Sequence, residues 1–165
     1  MEIAVKNTQR SIKVKPGSIE RIIRSALNKL SAGKRINCYN LASGLSFDPS
    51  GAVVSVLLVG DKKMRELNRT YRGIDRTTDV LSFSQLEGSS SQNETADLGD
   101  IVISPAQAKH QAAERGESMD HEIAVLLVHG LLHLIGYDHE KNRYQARKMR
   151  EKEKELLHAI TKVGR

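Results

Sequence analysis

Residues 123–139 read IAVLLVHGLLHLIGYDH, an apolar run that leads into three histidines. The apolar run 123–128 is the longest in the chain, but it falls far short of the ~20 residues that a membrane-spanning helix requires. Ser118 is a suitable N-cap, and Gly136 is suited to end a helix. We therefore predict a helix between these two positions that carries histidines toward its C-terminal end.

Three histidines of this stretch have the spacing of a metal site. Because positions i and i+4 lie on one face of a helix, His129 and His133 point the same way. A third ligand, His139, requires the chain to leave the helix and turn back, and Gly136 can adopt the positive φ that such a turn needs. Three neutral imidazoles fill three corners of a zinc tetrahedron and leave the fourth open to water, as in catalytic sites. We predict one bound zinc ion, which suits this donor set better than nickel or iron does.

The same histidine and glycine spacing occurs in the metzincin zinc proteases, whose motif is H-E-x-x-H-x-x-G-x-x-H. Those enzymes carry a proton-accepting glutamate after the first histidine, and this chain has Gly130 there. Amide hydrolysis needs a proton delivered to a poor nitrogen leaving group, whereas phosphodiester cleavage mainly needs cations that stabilise charge on the phosphoryl oxygens. Gly130 therefore disfavours a peptidase and is compatible with a nuclease. A glycine inside a helix also indicates a close helix contact or room for a substrate.

The flanking segments predict an α+β fold. Strands are predicted at 2–7, 52–59, 80–84 and 100–104. Helices are predicted from Pro16 with Ser18 as N-cap, from Asp61 as a cap, from Pro105 to Arg115 with Ser104 as N-cap, and from Asn142 to Ile160. Residues 33–50 and 86–97 are interpreted as loops, the second of them mobile. We expect a single domain over residues 1–165, in which about four strands form a small mixed sheet and about five helices pack on it, one of them a zincin-like metal helix.

A second group of candidate residues lies in LNRTYRGIDRTTDVLSF, residues 67–83. Arg72 directly precedes Gly73, which places it at the exit of a predicted helix. A guanidinium binds phosphate through two parallel hydrogen bonds and does not lose its charge. Arg72 is therefore the candidate for a phosphate contact, and the alternative is an ordinary ion pair with Asp75 or Asp79.

Composition and charge limit which partners, metal sites and cellular locations are expected. The net charge is +6, and residues 1–35 alone carry +7, which is compatible with a polyanionic partner but equally with a solvated surface. Cys38 is the only cysteine, so neither an internal disulfide nor a cysteine metal cluster is possible. The first residues do not have the shape of a signal peptide, and a reducing cytoplasm is the expected location. The remaining histidines, His110, His121 and His158, are interpreted as satisfied core residues.

Three blocks together resemble the bacterial YbeY family of rRNA-maturation endoribonucleases. They are LNRTYRGIDRTTDVLSF, LGDIVIS and HGLLHLIGYDH, and they lie in the order typical of the family within residues 52–160. The resemblance implies zinc bound by His129, His133 and His139, and a functionally required arginine at Arg72. It also implies a single-strand-specific endoribonuclease in 16S rRNA 3′-end maturation and ribosome quality control. The implied partners are single-stranded RNA, the 16S rRNA precursor and the small ribosomal subunit with its proteins, but neither DNA nor a membrane.

The chain departs from the family pattern at two positions where proline is common, Thr77 and Ser84, which concerns local rigidity rather than chemistry. The first 50 residues match the family only loosely, and residues 38–50 are interpreted as an insertion.

Two other functions stay open from the sequence: a non-catalytic zinc-containing ribosome assembly factor and, less favoured, a metallopeptidase. The general base is not assigned, with Asp138 and His121 as candidates. Whether water or the RNA 2′-hydroxyl attacks also stays open.

Overall fold

The computed structural model describes residues 1–39, 45–86 and 95–163. A four-stranded sheet and five α-helices make up most of this part of the chain, as the sequence predicts. The sheet strands are β1 (Glu2–Asn7), β4 (Ala52–Leu58), β5 (Val80–Ser84) and β6 (Ala96–Ile103). A separate pair consists of β2 (Ile36–Asn37) and β3 (Ser46–Phe47). The helices are α1 (Pro16–Ser31), α2 (Asp61–Arg72), α3 (Pro105–Arg115), α4 (Met119–Leu134) and α5 (Arg143–Val163).

The large sheet is mixed, with the strand order β1-β4-β6-β5. Strand β1 is parallel to β4, and β4 is parallel to β6. Strand β5 is antiparallel to β6 and lies at one edge. Its register, with Ser82 opposite Ile101 and Leu81 opposite Val102, determines which side chains face each side of the sheet.

Helices pack on both faces of this sheet. On one face α4 contacts strands β5 and β6 and the helices α1, α3 and α5. The main core lies here, and the buried Ile101, Leu127 and Leu131 belong to it. On the other face a smaller cluster joins Met64 of α2 to Leu81 and other strand residues. The metal helix α4 is thus held on nearly all sides by apolar contacts.

Two predicted loop regions contain more structure than expected. Residues 33–50 were predicted as loop, but Ile36 and Phe47 are buried and pair across the short ladder of β2 and β3. Residues 40–44 of the predicted insertion lie outside the described residues. The predicted mobile loop 86–97 overlaps β6, which begins at Ala96 rather than near residue 100, because parallel pairing with β4 extends the strand. Residues 87–94 of that segment also lie outside the described part.

The helix caps confirm two predictions and correct two. The Ser104 and Ser118 hydroxyls accept hydrogen bonds from the amides of Gln107 and His121, as N-caps do. Ser18, however, lies inside α1, which begins at Pro16 and has no side-chain cap. Asp61 is likewise inside its helix, where its carboxylate accepts hydrogen bonds from Ser104 and Gln107 instead. Helix α1 begins at Pro16 because proline is preorganised for the first turn of a helix. Helix α2 begins at Asp61 itself, and the residue before it, Gly60, is the N-cap with an extended backbone.

Within the described ranges, no helix combines the length and the apolar character that crossing a bilayer would take.

Candidate metal centre

The three predicted histidines come together at the C-terminal end of α4. The Nε2 atoms of His129 and His133 are 3.1 Å apart, and Nδ1 of His139 is 3.1 Å from the same His133 nitrogen. Zinc–nitrogen bonds of about 2.0–2.1 Å put the corners of a tetrahedron about 3.3–3.4 Å apart. The rings therefore need to separate by only a few tenths of an ångström to receive an ion.

The turn that brings His139 back begins directly after α4. The helix ends at Leu134, and the Gly136 amide donates to the His133 carbonyl at 3.0 Å. Gly136 has φ +99°, in the region that side chains disfavour. The next amide, that of Tyr137, donates to the Leu132 carbonyl. These two hydrogen bonds end the helix, and the positive φ of Gly136 turns the chain back toward it. The predicted role of Gly136 as the turn residue is confirmed.

The charge state of His133 suits metal binding. Burial lowers the pKa of His133 to about 4, and the neighbouring His129 and His139 act in the same direction. His133 is therefore neutral at physiological pH, which is the form that binds a metal. No proton has to be displaced from this ligand when an ion enters.

A carboxylate from another helix orients His129. Glu153 of α5 lies with Oε1 2.6 Å from Nδ1 of His129, and both side chains are largely buried. This contact assigns Nδ1 to the carboxylate and leaves Nε2 facing the other two histidines. A carboxylate on the far nitrogen of a ligating histidine is a frequent second contact in zinc proteins, where it fixes the ring and its tautomer.

Sequence reasoning missed Glu153, although a signal for it exists. Met149 and Leu156 are buried on the inward stripe of α5, and Glu153 falls on that stripe at helical spacing. A carboxylate between core residues needs a partner. His129 is that partner, 24 residues earlier in the chain.

Arg72 contacts the chain segment that directly follows the third histidine. It is the last residue of α2, and its Nη2 atom is 3.2 Å from Oε1 of Glu140, the residue that follows His139. An ion pair of Arg72 is present, but neither of its two predicted partners, Asp75 and Asp79, forms it. Asp75 is held by Arg65 at 2.9 Å, and Asp79 accepts a hydrogen bond from Gln111. Sequence reasoning missed Glu140 because nothing in residues 67–83 indicates how near they come to the segment after the third histidine.

Gly130 faces the sheet at short range. A Cβ atom at this position would lie 2.9 Å from Cγ2 of Ile101 and 3.0 Å from the Ser82 hydroxyl. Of the two reasons considered for this glycine, the close helix contact is the one observed. A glutamate here would be directed at β5 and β6 rather than held free to accept a proton.

The two candidates for the general base differ in position. Asp138 precedes His139, and its carboxylate accepts a hydrogen bond from the Glu140 amide at 2.9 Å. His121 lies in the first turn of α4, about 12 Å along the helix axis from His129. Among the described residues, the group able to hold a metal consists of the three predicted histidines and does not include His121. The interpretation of the other histidines as core residues is wrong, because His110 and His158 are exposed and His121 is half-buried.

Ser84, one of the two positions where the family resemblance predicts proline, contacts the end of α4. Its hydroxyl donates to the Leu134 carbonyl at 2.8 Å. Carbonyls in the last turn of a helix lack partners within the helix, so this bond satisfies one of them.

Known proteins resemble this chain over nearly its whole length. The family model described as Endoribonuclease YbeY matches residues 4–161. A Thermodesulfovibrio yellowstonii protein called Endoribonuclease YbeY is 38% identical over 157 residues, covering 95% of this chain and 96% of the relative. A protein of the same name from Symbiobacterium thermophilum is 40% identical over 163 residues, covering 94% and 96% of the two chains. The match reaches almost to the N-terminus, so the similarity extends further than the sequence blocks indicate.

A solved structure is similar as well. The solution structure of a Thermotoga maritima protein superimposes with a TM-score of 0.58 and 26% sequence identity, covering 96% of this chain and 88% of that one. The mixed sheet, the helix bearing two histidines and the third histidine after a glycine turn lie within the region that the family model matches. On this evidence, the chain belongs to the YbeY endoribonuclease family.

Proposed function

We propose that this protein is a zinc-dependent endoribonuclease that cleaves single-stranded RNA. The observation that carries the proposal is the convergence of three imidazoles beside Arg72 in a chain whose relatives are called endoribonucleases. His129, His133 and His139 would hold the ion, and Arg72 would contact the phosphate. Bound zinc supplies a Lewis acid and lowers the pKa of water.

The protein's own side chains would orient a metal ligand and bind the phosphate. Glu153 holds the His129 ring with its Nε2 atom toward the site. The ion pair with Glu140 keeps the Arg72 guanidinium next to the third histidine, and a phosphate would compete with that carboxylate for the same donor. Arg72 would then stabilise negative charge on the phosphoryl oxygens as it develops.

The finer assignment follows the family. The substrate would be the 16S rRNA precursor, cleaved during 3′-end maturation and ribosome quality control, on or near the small ribosomal subunit and its proteins. The location would be the cytoplasm. Residues 1–165 would form one domain, a proposal that the family match over residues 4–161 supports. DNA and membranes are not expected as partners.

The test compares zinc content and cleavage in the same preparation. Purified protein is stripped with a chelator, reloaded with zinc, and incubated with end-labelled single-stranded RNA and, separately, with casein. We expect one zinc per chain, RNA cleavage only after reloading, and intact casein. His133→Ala should lose both the stoichiometric zinc and the cleavage, and should melt at a lower temperature than the zinc-loaded wild type because bound metal stabilises the folded state.

Other results would favour the other functions. Zinc binding without RNA cleavage would indicate a non-catalytic assembly factor, and casein cleavage would indicate a peptidase. Equal zinc content in the wild type and the triple His→Ala variant would refute the metal site. Immature small subunits carrying a 3′-extended 16S precursor should be cleaved faster than an unrelated single strand of equal length, and equal rates would refute the rRNA assignment.

A further inference from the structure

Tyr71, the residue before Arg72, has a largely exposed aromatic ring. Among the described residues, the exposed large apolar side chains are Tyr71, 64% exposed, and Tyr144, 53% exposed. The Tyr71 ring meets the half-buried Phe83 of β5 edge to face, with centroids 4.9 Å apart. One edge of Tyr71 is therefore fixed by Phe83, while most of the ring stays accessible.

The position of Tyr71 relates it to the metal centre through Arg72. Phe83 and Leu81 point to the face of the sheet that α2 covers. The next residue, Ser84, bonds to Leu134 of α4 on the opposite face. Since Arg72 follows Tyr71 and reaches Glu140 beyond the end of α4, it spans from one face to the other at the edge strand β5. A chain bound by Arg72 at this edge passes the Tyr71 ring.

The charge around Tyr71 favours a polyanion. Residues 61–76 contain six Lys or Arg against three Asp or Glu, a net charge of +3. Arg69 and Arg76 are exposed on either side of Tyr71 and Arg72. A nucleic acid strand here would meet cations for its phosphates and an aromatic face for its base, the combination that single-strand binding sites use.

The second exposed tyrosine lies in a different setting. Tyr144 borders a groove of about 370 Å³ together with Tyr39 and Tyr137, which stack on each other at 4.6 Å. Lys148 already lies over the Tyr144 ring, 5.6 Å from its centroid. The lysines of the groove are matched by equal numbers of carboxylates, Glu151 and Glu155. This groove lacks the positive excess found around Tyr71.

We propose that Tyr71 is a stacking platform for one base of a single-stranded RNA, adjacent to the phosphate that Arg72 contacts. The proposal rests on the proposed function, because it takes the RNA from that assignment and adds the group that receives a base. Stacking is tolerant of sequence, since every base has a flat face. Tyr71 therefore confers preference for unpaired over paired strands rather than for a particular base.

The chain contains no tryptophan, so the fluorescence of a single introduced indole reports only on the surroundings of that residue. Tyr71→Trp and, as matched control, Tyr144→Trp are titrated with a 2′-O-methyl oligoadenylate, which is confirmed intact afterwards by gel. We expect saturable quenching of the indole emission in Tyr71→Trp and none in Tyr144→Trp. An abasic oligomer of the same length should quench neither, because it offers phosphates without a base.

Affinity measurements separate stacking from a structural role. Tyr71→Ala and Tyr71→Leu should weaken binding of the oligoadenylate roughly tenfold, in line with the loss of one aromatic stack. Binding of the abasic oligomer should be unchanged in both. Tyr71→Phe, which keeps the face and removes the hydroxyl, should bind oligoadenylate like the wild type. Equal melting temperatures of the four proteins show that the fold is retained, and a circular dichroism spectrum checks this independently.

The outcomes distinguish this inference from the function on which it rests. If the wild type cleaves single-stranded RNA but Tyr71→Trp is not quenched and Tyr71→Ala binds normally, the stacking site is overturned while the enzyme assignment stands. If quenching occurs without any cleavage, the stacking site is supported and the enzyme assignment fails. Quenching of Tyr144→Trp alone, or equal loss of oligoadenylate and abasic binding in Tyr71→Ala, also overturns the proposal.

Discussion

Single residues around the histidine cluster are each held by one specific partner. His129 has Glu153, Arg72 has Glu140, and Asp138 has the Glu140 amide. These contacts differ in burial, and burial decides what each can do. The largely buried pair His129–Glu153 determines geometry, whereas the exposed pair Arg72–Glu140 contributes little to stability and leaves its cation free to change partners.

Replacing Arg72 should affect catalysis and leave the fold intact. We expect Arg72→Ala to cleave RNA on the order of 10²-fold more slowly, because a cation that stabilises phosphoryl charge is lost. Arg72→Lys should recover only part of the rate, since an ammonium cannot make the two-pronged contact. Single-turnover cleavage rates of the zinc-loaded proteins measure both effects.

Arg65→Ala is the matched control for Arg72→Ala. It removes an exposed arginine from the same helix, bound to Asp75 rather than to the segment after the histidines. Zinc content and melting temperature should match the wild type in both variants. If Arg72→Ala cleaves RNA as fast as a wild type whose cleavage depends on zinc, Arg72 has no role in cleavage and only forms a surface ion pair.

Replacing Glu153 should weaken metal binding without removing a ligand. Glu153→Ala leaves the His129 ring without the carboxylate that orients it, and such losses cost about 10–100-fold in metal affinity. Glu153→Gln keeps a hydrogen-bond acceptor but not the charge, so an intermediate loss is expected. Competition with a chromophoric chelator measures the zinc affinity. Glu151→Gln, on the exposed face of α5, should bind zinc like the wild type, and an equal loss there would remove the orienting role from Glu153.

At the scale of elements, the site depends on how closely α4 approaches the sheet. The approach is close at Gly130, where a Cβ would lie 2.9 Å from a side-chain atom of Ile101 and 3.0 Å from the Ser82 hydroxyl. A glycine disfavours the helix by about 1 kcal/mol relative to alanine, and the packing of α4 on β5 and β6 offsets this. The same approach aligns the end of α4 with Ser84 and directs its histidines toward the segment that contains Glu140.

Gly130→Ala should destabilise the protein although it improves helix propensity. Overpacking costs about 1–3 kcal/mol, which exceeds the gain of about 1 kcal/mol from propensity. Chemical denaturation should therefore give a free energy of unfolding lower by roughly 1 kcal/mol. Gly17→Ala in α1 is the control, because a Cβ there meets nothing within 4 Å, and it should be neutral or stabilising. A Gly130→Ala variant as stable as the wild type would mean that the sheet yields without strain.

At the scale of the whole molecule, charge is distributed unevenly. Residues 1–35 carry +7 and residues 61–76 carry +3, within a net charge of +6. A positive surface attracts nucleic acid through release of counterions from phosphates, and this attraction depends on salt rather than on sequence. Affinity for RNA should thus combine a general electrostatic contribution with the local contacts at Arg72.

RNA affinity should fall steeply with salt. For single strands the slope of log K against log salt is about −0.7 for each phosphate neutralised, so three contacts give at least about tenfold weaker binding between about 50 and 200 mM salt. Fluorescence anisotropy with a labelled oligonucleotide measures the slope. Arg72→Ala should make the slope shallower by about 0.7, the share of one phosphate. A flat dependence for the wild type would exclude a phosphate-binding surface.

Features that depend on local periodicity and short-range spacing could be predicted from the amino-acid order alone. The i,i+4 histidines, the glycine turn and the serine caps at Ser104 and Ser118 are local features, and all are present as predicted. The α+β class followed from the apolar patterns. Boundaries such as the start of β6 were misplaced, because pairing with β4, rather than local preference, extends that strand.

The residues that surround the three histidines are set by tertiary packing and could not be predicted from local patterns. Glu153 reaches His129 because α5 packs on α4, and Glu140 reaches Arg72 because the chain turns back at the edge of β5. The reason that Gly130 is a glycine likewise lies in Ile101 and Ser82, on two strands far away in the chain. Such contacts are fixed by how closely whole elements pack, which depends on side-chain volumes from several segments at once. No periodicity within one segment carries that information.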